Sequence, residues 1–230
     1  MVSFFCGHHR GGSQECNIYH EIYIAERVLN TFSWKLDMGK KQKEQKEAKE
    51  AEEEKTVKKF KAVFSKERVL ADKSDEAVDL YNKSRYGEYV EDKIQYSLVE
   101  VLHLLERKRL ILKDAKGKGI KIDAFRKICE KIEENFWIRY CVFRDLRQRG
   151  YIVKTALKFG ADFRVYDKGI KPGDDHAKWI VYPLHETETL TLYEFSAKNR
   201  VAHSTRKTLL LAVVDDEGDV SYWNSSWVKP

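Results

Sequence analysis

Arg200-Val-Ala-His-Ser-Thr-Arg-Lys207 runs, after one threonine, into Leu209-Leu-Leu-Ala-Val-Val214. The first stretch closes a helical pattern that spans roughly Leu192 to Arg206. The second is a short, purely apolar run, suited to a strand covered on both faces. A helix that feeds straight into such a strand belongs to a sheet with helices packed against it. The junction also carries Arg200, His203, Arg206 and Lys207. Positive charge held that close to a core is there to meet an anion, and the reading here is an RNA phosphate.

Working outward, the segments Tyr151–Lys158, Ala161–Asp167 and Lys178–Leu184 read as strands, separated by Phe159-Gly160 and by a loop from Lys168 to Asp175 that contains Pro172-Gly173. Downstream, Thr208–Val214 and Val220–Val228 are two further strands joined by the turn Asp215–Gly218. Upstream, Phe136 to Arg149 is a helix with Phe136, Tyr140, Phe143 and Leu146 on its apolar face. Asn135 is its N-cap and Gly150 its C′ residue. These elements define a C-terminal mixed-sheet domain over residues 135–230.

A smaller α/β domain is expected over residues 60–134. Lys61 to Leu70 reads as strand, turn and strand, and Asp75 to Tyr81 as a short helix with Asp75 near its cap. Gly87 breaks the chain. Gln95 to Arg107 is an amphipathic helix with Leu98, Val101, Leu102 and Leu105 on one face. His103 lies one position off that stripe and is expected on the helix surface. A strand through Leu110–Leu112, a Gly117/Gly119 turn and a helix carrying Phe125, Ile128, Cys129 and Ile132 complete the domain. The fold class is therefore α+β, a mixed α/β architecture.

The 230 residues are 42% hydrophobic and 35% charged, the composition of a soluble, charge-rich globular protein. No apolar run approaches the roughly 18 residues of a membrane span, and the start lacks a secretory pattern, so a cytoplasmic protein with no membrane partner is expected. A net charge of +6 permits a nucleic-acid partner without demanding one. Four cysteines do not make a disulfide scaffold, and Cys129 and Cys141 fall in apolar helical patterns as buried thiols. Cys6, His8, His9 and Cys16 are zinc-type ligands at a spacing that matches no standard finger. Met38 offers an alternative start, and residues 39–59, rich in Lys, Glu, Gln and Ala, read as a solvated arm.

Several chemistries are absent from the sequence. It has no Gly-x-Ser-x-Gly elbow, no His-Glu-x-x-His, no Walker loop and no Gly-x-Gly-x-x-Gly after a strand. Asp162 is the one acid in the middle of the C-terminal strands, without the acid cluster that a divalent-metal nuclease uses. Tyr166, His176 and Lys207 remain. Each stands at the edge of an element, where a rigid scaffold presents functional side chains. On the residues alone, each is equally at home as a packing, exposed or helix-dipole residue.

The segment Gly150–Tyr166, reading Gly-Tyr-Ile-Val-Lys-Thr-Ala-Leu-Lys-Phe-Gly-Ala-Asp-Phe-Arg-Val-Tyr, resembles a hallmark of the archaeal tRNA-splicing endonucleases. Arg200–Lys207 resembles their second hallmark, and Tyr96–Leu105 resembles part of their N-terminal domain. The resemblance covers residues 60–230. It implies removal of introns from precursor tRNA at bulge-helix-bulge sites, with no metal or cofactor, leaving 2′,3′-cyclic phosphate and 5′-hydroxyl ends. It implies that Tyr166 is the general base, His176 the general acid and Lys207 the stabiliser of the transition state. A histidine that titrates near neutrality suits the acid. A tyrosine ordinarily ionises near pH 10, so a base needs nearby cations such as Lys207; Tyr166 could instead orient the 2′-hydroxyl.

The same resemblance implies that a bulge base is held between two flat side chains. Arg200 matches one. The other falls in Val220–Asn224, where Trp223 or Tyr222 stands in place of an arginine. His203 and Arg206 are structural residues or phosphate neighbours. One catalytic set per chain implies self-association to a homotetramer, with the acidic loop His185–Glu188 docking into a neighbour. The rival reading is a non-catalytic subunit that positions RNA for another chain.

Overall fold

Two five-stranded mixed sheets, each with helices against it, make up the described part of the chain. The computed structural model describes residues 58–173 and 175–228, which fall within one compact unit. The Cys6/His8/His9/Cys16 set, the alternative start at Met38 and the arm up to residue 57 lie outside the described residues.

The first sheet contains β1 (Phe60–Ser65), β2 (Arg68–Asp72), β3 (Glu88–Val90), β4 (Lys93–Tyr96) and β5 (Leu110–Asp114), in the order β3-β4-β2-β1-β5. Its pairs are antiparallel except β1 with β5. The accompanying helices are α1 (Asp75–Ser84), α2 (Leu98–Glu106) and α3 (Ile122–Ile132). The second part begins with α4 (Phe136–Gln148) and continues through β6 (Ile152–Ala156), a 3₁₀ turn (Leu157–Phe159), β7 (Ala161–Tyr166) and β8 (Trp179–His185). Helix α5 (Leu192–Ser204), β9 (Thr208–Val214) and β10 (Val220–Ser225) complete it. The strand order is β10-β9-β8-β7-β6, and β8–β9 is the one parallel pair, with α5 as its crossover. The mixed α+β class expected from the sequence is the class observed.

The second sheet is covered on both faces, which explains why β9 is an unbroken apolar run after Thr208. Phe163, Val165, Val181, Leu210, Ala212 and Val214 share a core with Phe136, Tyr140 and Phe143 of α4. The alternating residues Ile180, Tyr182 and Leu209 pack with Ala202 of α5 on the other face. Gly150 ends α4 as expected: its φ is +89°, its N–H reaches the Arg147 carbonyl, and the Tyr151 N–H reaches that of Leu146. This is the Schellman pattern. Asn135 occupies the N-cap position, but its side chain makes no capping bond and its backbone is left-handed at φ +56°.

One boundary and one burial differ from the sequence reading. Gln95 and Tyr96, expected at the start of a helix, belong to β4, which forms a hairpin with β3. Helix α2 starts after Ser97, whose N–H and hydroxyl both donate to the Glu100 carboxylate at 3.0 Å. His103 is not on a helix surface. It is 2% exposed, because every residue of α2 from Leu98 to Leu105 is buried. A helix packed on all sides has no polar face to read. Cys129 and Cys141 are free, buried thiols, as their apolar settings suggest.

Candidate active site

The end of the second sheet where β7 finishes and β8 and β9 start gathers the three residues singled out above. Val165 pairs with Trp179 in the antiparallel β7–β8 ladder, so Tyr166 stands opposite Lys178. Trp179 pairs with Thr208 in the parallel β8–β9 ladder, so Lys178 stands beside Lys207. Two backbone bonds extend the ladders to that row, from Lys178 N–H to the Val165 carbonyl at 2.9 Å and from Thr208 N–H to the Lys178 carbonyl at 3.0 Å. Two strand spacings separate the Tyr166 and Lys207 backbones, about 10 Å. By alternation from Ile180 and Leu209, the row's side chains belong to the α5 face.

Tyr166 is buried, at 5% exposure. His176 is exposed on the loop between β7 and β8, and its backbone N–H donates to the Asp175 carboxylate at 2.6 Å. The loop is closed at its base by Lys178, whose Nζ lies 2.7 Å from Asp167 and over the Trp179 ring. Lys178 and the Lys168 N–H hold the Asp167 carboxyl below its usual range. The catalytic candidates thus lie at one end of the sheet, with His176 on the β7–β8 loop.

Lys207 is positioned by the way α5 ends. The Lys207 N–H donates to the Ala202 carbonyl at 2.8 Å and the Arg206 N–H to that of His203 at 3.0 Å. This is again the Schellman pattern, with Arg206 at φ +56° in the place usually given to glycine. The Lys207 Nζ donates to the Thr205 carbonyl at 2.8 Å. Burial lowers its pKa, and the Arg164 cation lowers it further. The result is an ammonium partly stripped of water, which interacts more strongly with an anion than an exposed one does.

The base-holding candidates are placed differently. Arg200 is exposed on α5. Trp223 is 65% exposed on β10. Tyr222 points to the other face of β10: its hydroxyl donates to Asp145 of α4 at 2.7 Å, and its ring packs against the core under Arg149. That bond commits Tyr222 to the fold. Sequence reasoning missed Trp227. The strand was expected to run to Val228 but ends at Ser225, and the chain turns so that Trp227 meets the His203 ring at 4.8 Å. Arg200 and His203 are three apart and share one face of α5. Arg200 and Trp227 line the same open hollow of about 470 Å³. Asn199 anchors it by accepting from Ser225 and donating to the Phe195 carbonyl. Nothing in the period of the sequence marks Trp227, because a strand pattern gives no sign of where the strand leaves the sheet. Asp162 is an ion-pair partner of Arg139, at 2.7 Å, and burial raises its pKa despite that cation.

A phenol, an imidazole and a partly buried ammonium at one sheet end can together move protons and neutralise charge on a phosphodiester. That is the equipment of a nuclease. Two family descriptions match the chain: tRNA intron endonuclease, catalytic C-terminal domain, over residues 136–222, and tRNA intron endonuclease, N-terminal domain, over residues 60–126. The tRNA-splicing endonuclease of Pyrococcus horikoshii is 41% identical over 165 residues, covering 72% of this chain and 94% of that protein. That of Methanothermobacter thermautotrophicus is 41% identical over 152 residues, 66% of this chain and 87% of that protein. That of Nanoarchaeum equitans is 44% identical over 147 residues, 61% and 93% of the two chains. The chain belongs to the tRNA intron endonuclease family and is an endonuclease. None of its described helices is long and apolar enough to cross a membrane.

Proposed function

We propose that this endonuclease cuts precursor tRNA at bulge-helix-bulge junctions without a metal ion, leaving 2′,3′-cyclic phosphate and 5′-hydroxyl ends. The observation that carries the reading is the register row Tyr166–Lys178–Lys207, with His176 on the loop beside it. The ribose 2′-oxygen bonds to the adjacent phosphorus as the bond to the 5′-oxygen breaks. Tyr166 takes or orients the 2′-hydroxyl proton, His176 delivers a proton to the departing 5′-oxygen, and Lys207 neutralises the phosphoryl oxygens. The relatives' name, tRNA-splicing endonuclease, supports the substrate class.

Arg200 and Trp227 hold a bulge base by stacking, with Trp223 as the alternative plane; indole and guanidinium both stack on any base. Arg206 meets a neighbouring phosphate. Two cleavage sites need two active sites, so the working form is an assembly of this chain, a homotetramer. The exposed Leu192 and Tyr193 at the start of α5, at 83% and 78%, support a further contact surface.

The deciding test incubates the purified chain with an intron-containing precursor tRNA in excess EDTA and identifies the ends. Cleavage to cyclic-phosphate termini supports the reading. Cleavage only after a divalent metal is restored overturns metal independence. No cleavage under either condition would make the chain an RNA-positioning subunit.

A further inference from the structure

On the far side of Tyr166 from Lys207, the register row ends at Ile152, the cross-strand partner of Tyr166. Ile152 also lines a pocket of about 340 Å³ between the two sheet systems. Five cations line that pocket: Lys83 of α1, Arg107 and Arg109 at the end of α2, Arg147 of α4, and Lys171 on the loop that carries His176. No aspartate or glutamate lines it.

The five do not have the same role. Arg147 forms the floor. Its guanidinium stacks 3.7 Å from the Tyr86 ring centre and donates to the Ser84 carbonyl at 2.8 Å and the Tyr151 carbonyl at 3.4 Å. Lys83 is paired with Asp79. Arg107, Arg109 and Lys171 have no carboxylate at ion-pair distance among the described residues. Arg107 and Arg109 flank Lys108 in a Schellman turn, where the Lys108 N–H reaches the Leu105 carbonyl and the Arg109 N–H that of Leu104. Lys108 sits there at φ +54°. The turn fixes Arg107 and Arg109 at the mouth of a concave surface whose lining includes Ile152, the strand neighbour of Tyr166. Such a concentration of positive charge without acids focuses potential on an incoming anion.

We infer that this pocket is a second RNA-binding site, which grips backbone phosphates of the helix flanking the scissile bond. It deepens the proposed function and rests on it, since the RNA held there is the one cleaved at the adjacent sheet end. The site is built by both sheet systems. It therefore gives the N-terminal half a share in substrate binding, and it reads phosphate charge rather than base sequence.

The test measures binding of intact precursor tRNA as a function of monovalent salt, with no cleavage needed for the readout. Arg107→Gln/Arg109→Gln is expected to weaken binding about tenfold at ~0.1 M salt and to flatten the log–log salt slope by about 2, one for each phosphate no longer neutralised. Lys116→Gln/Lys118→Gln removes the same charge at the other end of β5 and is expected to keep wild-type binding. A duplex RNA of unrelated sequence should compete at the pocket. If Arg107→Gln/Arg109→Gln binds with unchanged affinity and slope, or the control pair loses as much, the inference is overturned. Thermal melting shows whether the double variant is folded, and Lys171→Gln, on a surface loop, gives the same readout with a slope change of about 1. If the unaltered chain binds precursor tRNA but does not cut it, the proposed function fails while this comparison still decides the pocket.

Discussion

Lys154 of β6 and Glu100 of α2 lie 3.6 Å apart, each with a side chain about 6% exposed, and join the two sheet systems through their interior. The surrounding groups complete the pair. Lys154 donates to the Gly87 carbonyl at 2.5 Å, and Glu100 also accepts from Gly87 N–H, Ser97 N–H and the Ser97 hydroxyl. Gly87 is required at that point: its φ is +73°, and a Cβ there would lie 2.5 Å from the Ile94 side chain. Removing one member of a buried pair costs about 3–5 kcal/mol because the other is left uncompensated. Glu100 would keep three donors, so Lys154→Ala should cost about 3 kcal/mol, the low end, and Lys154→Met less. Urea unfolding with an unchanged m-value checks this. A loss below about 1 kcal/mol would show that the pair is screened by water.

The turn that delivers Lys207 gives a separable prediction for Arg206. A left-handed non-glycine residue carries a strain of about 1 kcal/mol or more, which glycine relieves at some cost in unfolded-chain entropy. Arg206→Gly should therefore leave thermal stability within about 1 kcal/mol of wild type, or improve it. Binding of precursor tRNA should weaken and its salt slope should fall by about 1, since one phosphate loses its cation. If stability fell by several kcal/mol, the arginine side chain would be a structural group instead.

The junction at Arg200–Val214 is legible in the sequence because the pattern changes there from helical to a short, fully apolar run of strand length. Gly150 is legible because helix ends have a local chemistry. The β3–β4 hairpin is not, because Lys93–Tyr96 continues without a break into the apolar stripe of α2. The Ser97–Glu100 capping spacing is the available signal. Lys154 and His103 are opaque for a different reason: each is buried by the packing of one sheet system on the other, which no local pattern encodes. In the site, Tyr166, His176 and Lys207 stand out at element edges, but the row that aligns Tyr166 with Lys207 follows from strand register. Trp227 depends on where β10 ends.

His103 sets a pH dependence. Burial, followed by the cations of Arg107, Arg147 and Arg144, pushes its pKa down to about 3. Its ring is stacked on Tyr86, and neither ring nitrogen has a hydrogen-bond partner among the described residues. The folded form stays neutral while the unfolded chain takes up a proton below about pH 6.5. Stability from this group is thus complete above that pH and is lost as the pH falls toward the folded pKa, by about 1.4 kcal/mol per unit. Near pH 4.5 the loss should be roughly 2–3 kcal/mol. His103→Phe should unfold in urea at nearly the same midpoint at both pH values, whereas the wild type should drop. Equal drops for the two proteins would mean that His103 is not the acid-sensitive group.

Lys207 gives the last prediction, in the alkaline direction. Burial and then Arg164 bring the pKa of its ammonium below the ordinary lysine value. The charge that neutralises the phosphoryl oxygens is therefore lost at a lower pH than an exposed lysine would lose it. Replacing Arg164 with glutamine removes one of the two causes, so the Lys207 pKa should rise and the alkaline limb of kcat/KM should move to higher pH. Because burial is the larger cause, the limb should still fall below the ordinary lysine range. Lys207→Ala should lower kcat by about 10²–10³, the size of losing one preorganised charge-stabilising group, and should abolish that limb. A pH–rate series on the three proteins with precursor tRNA checks both statements. An alkaline limb that stays in place in Arg164→Gln would assign it to a group other than Lys207.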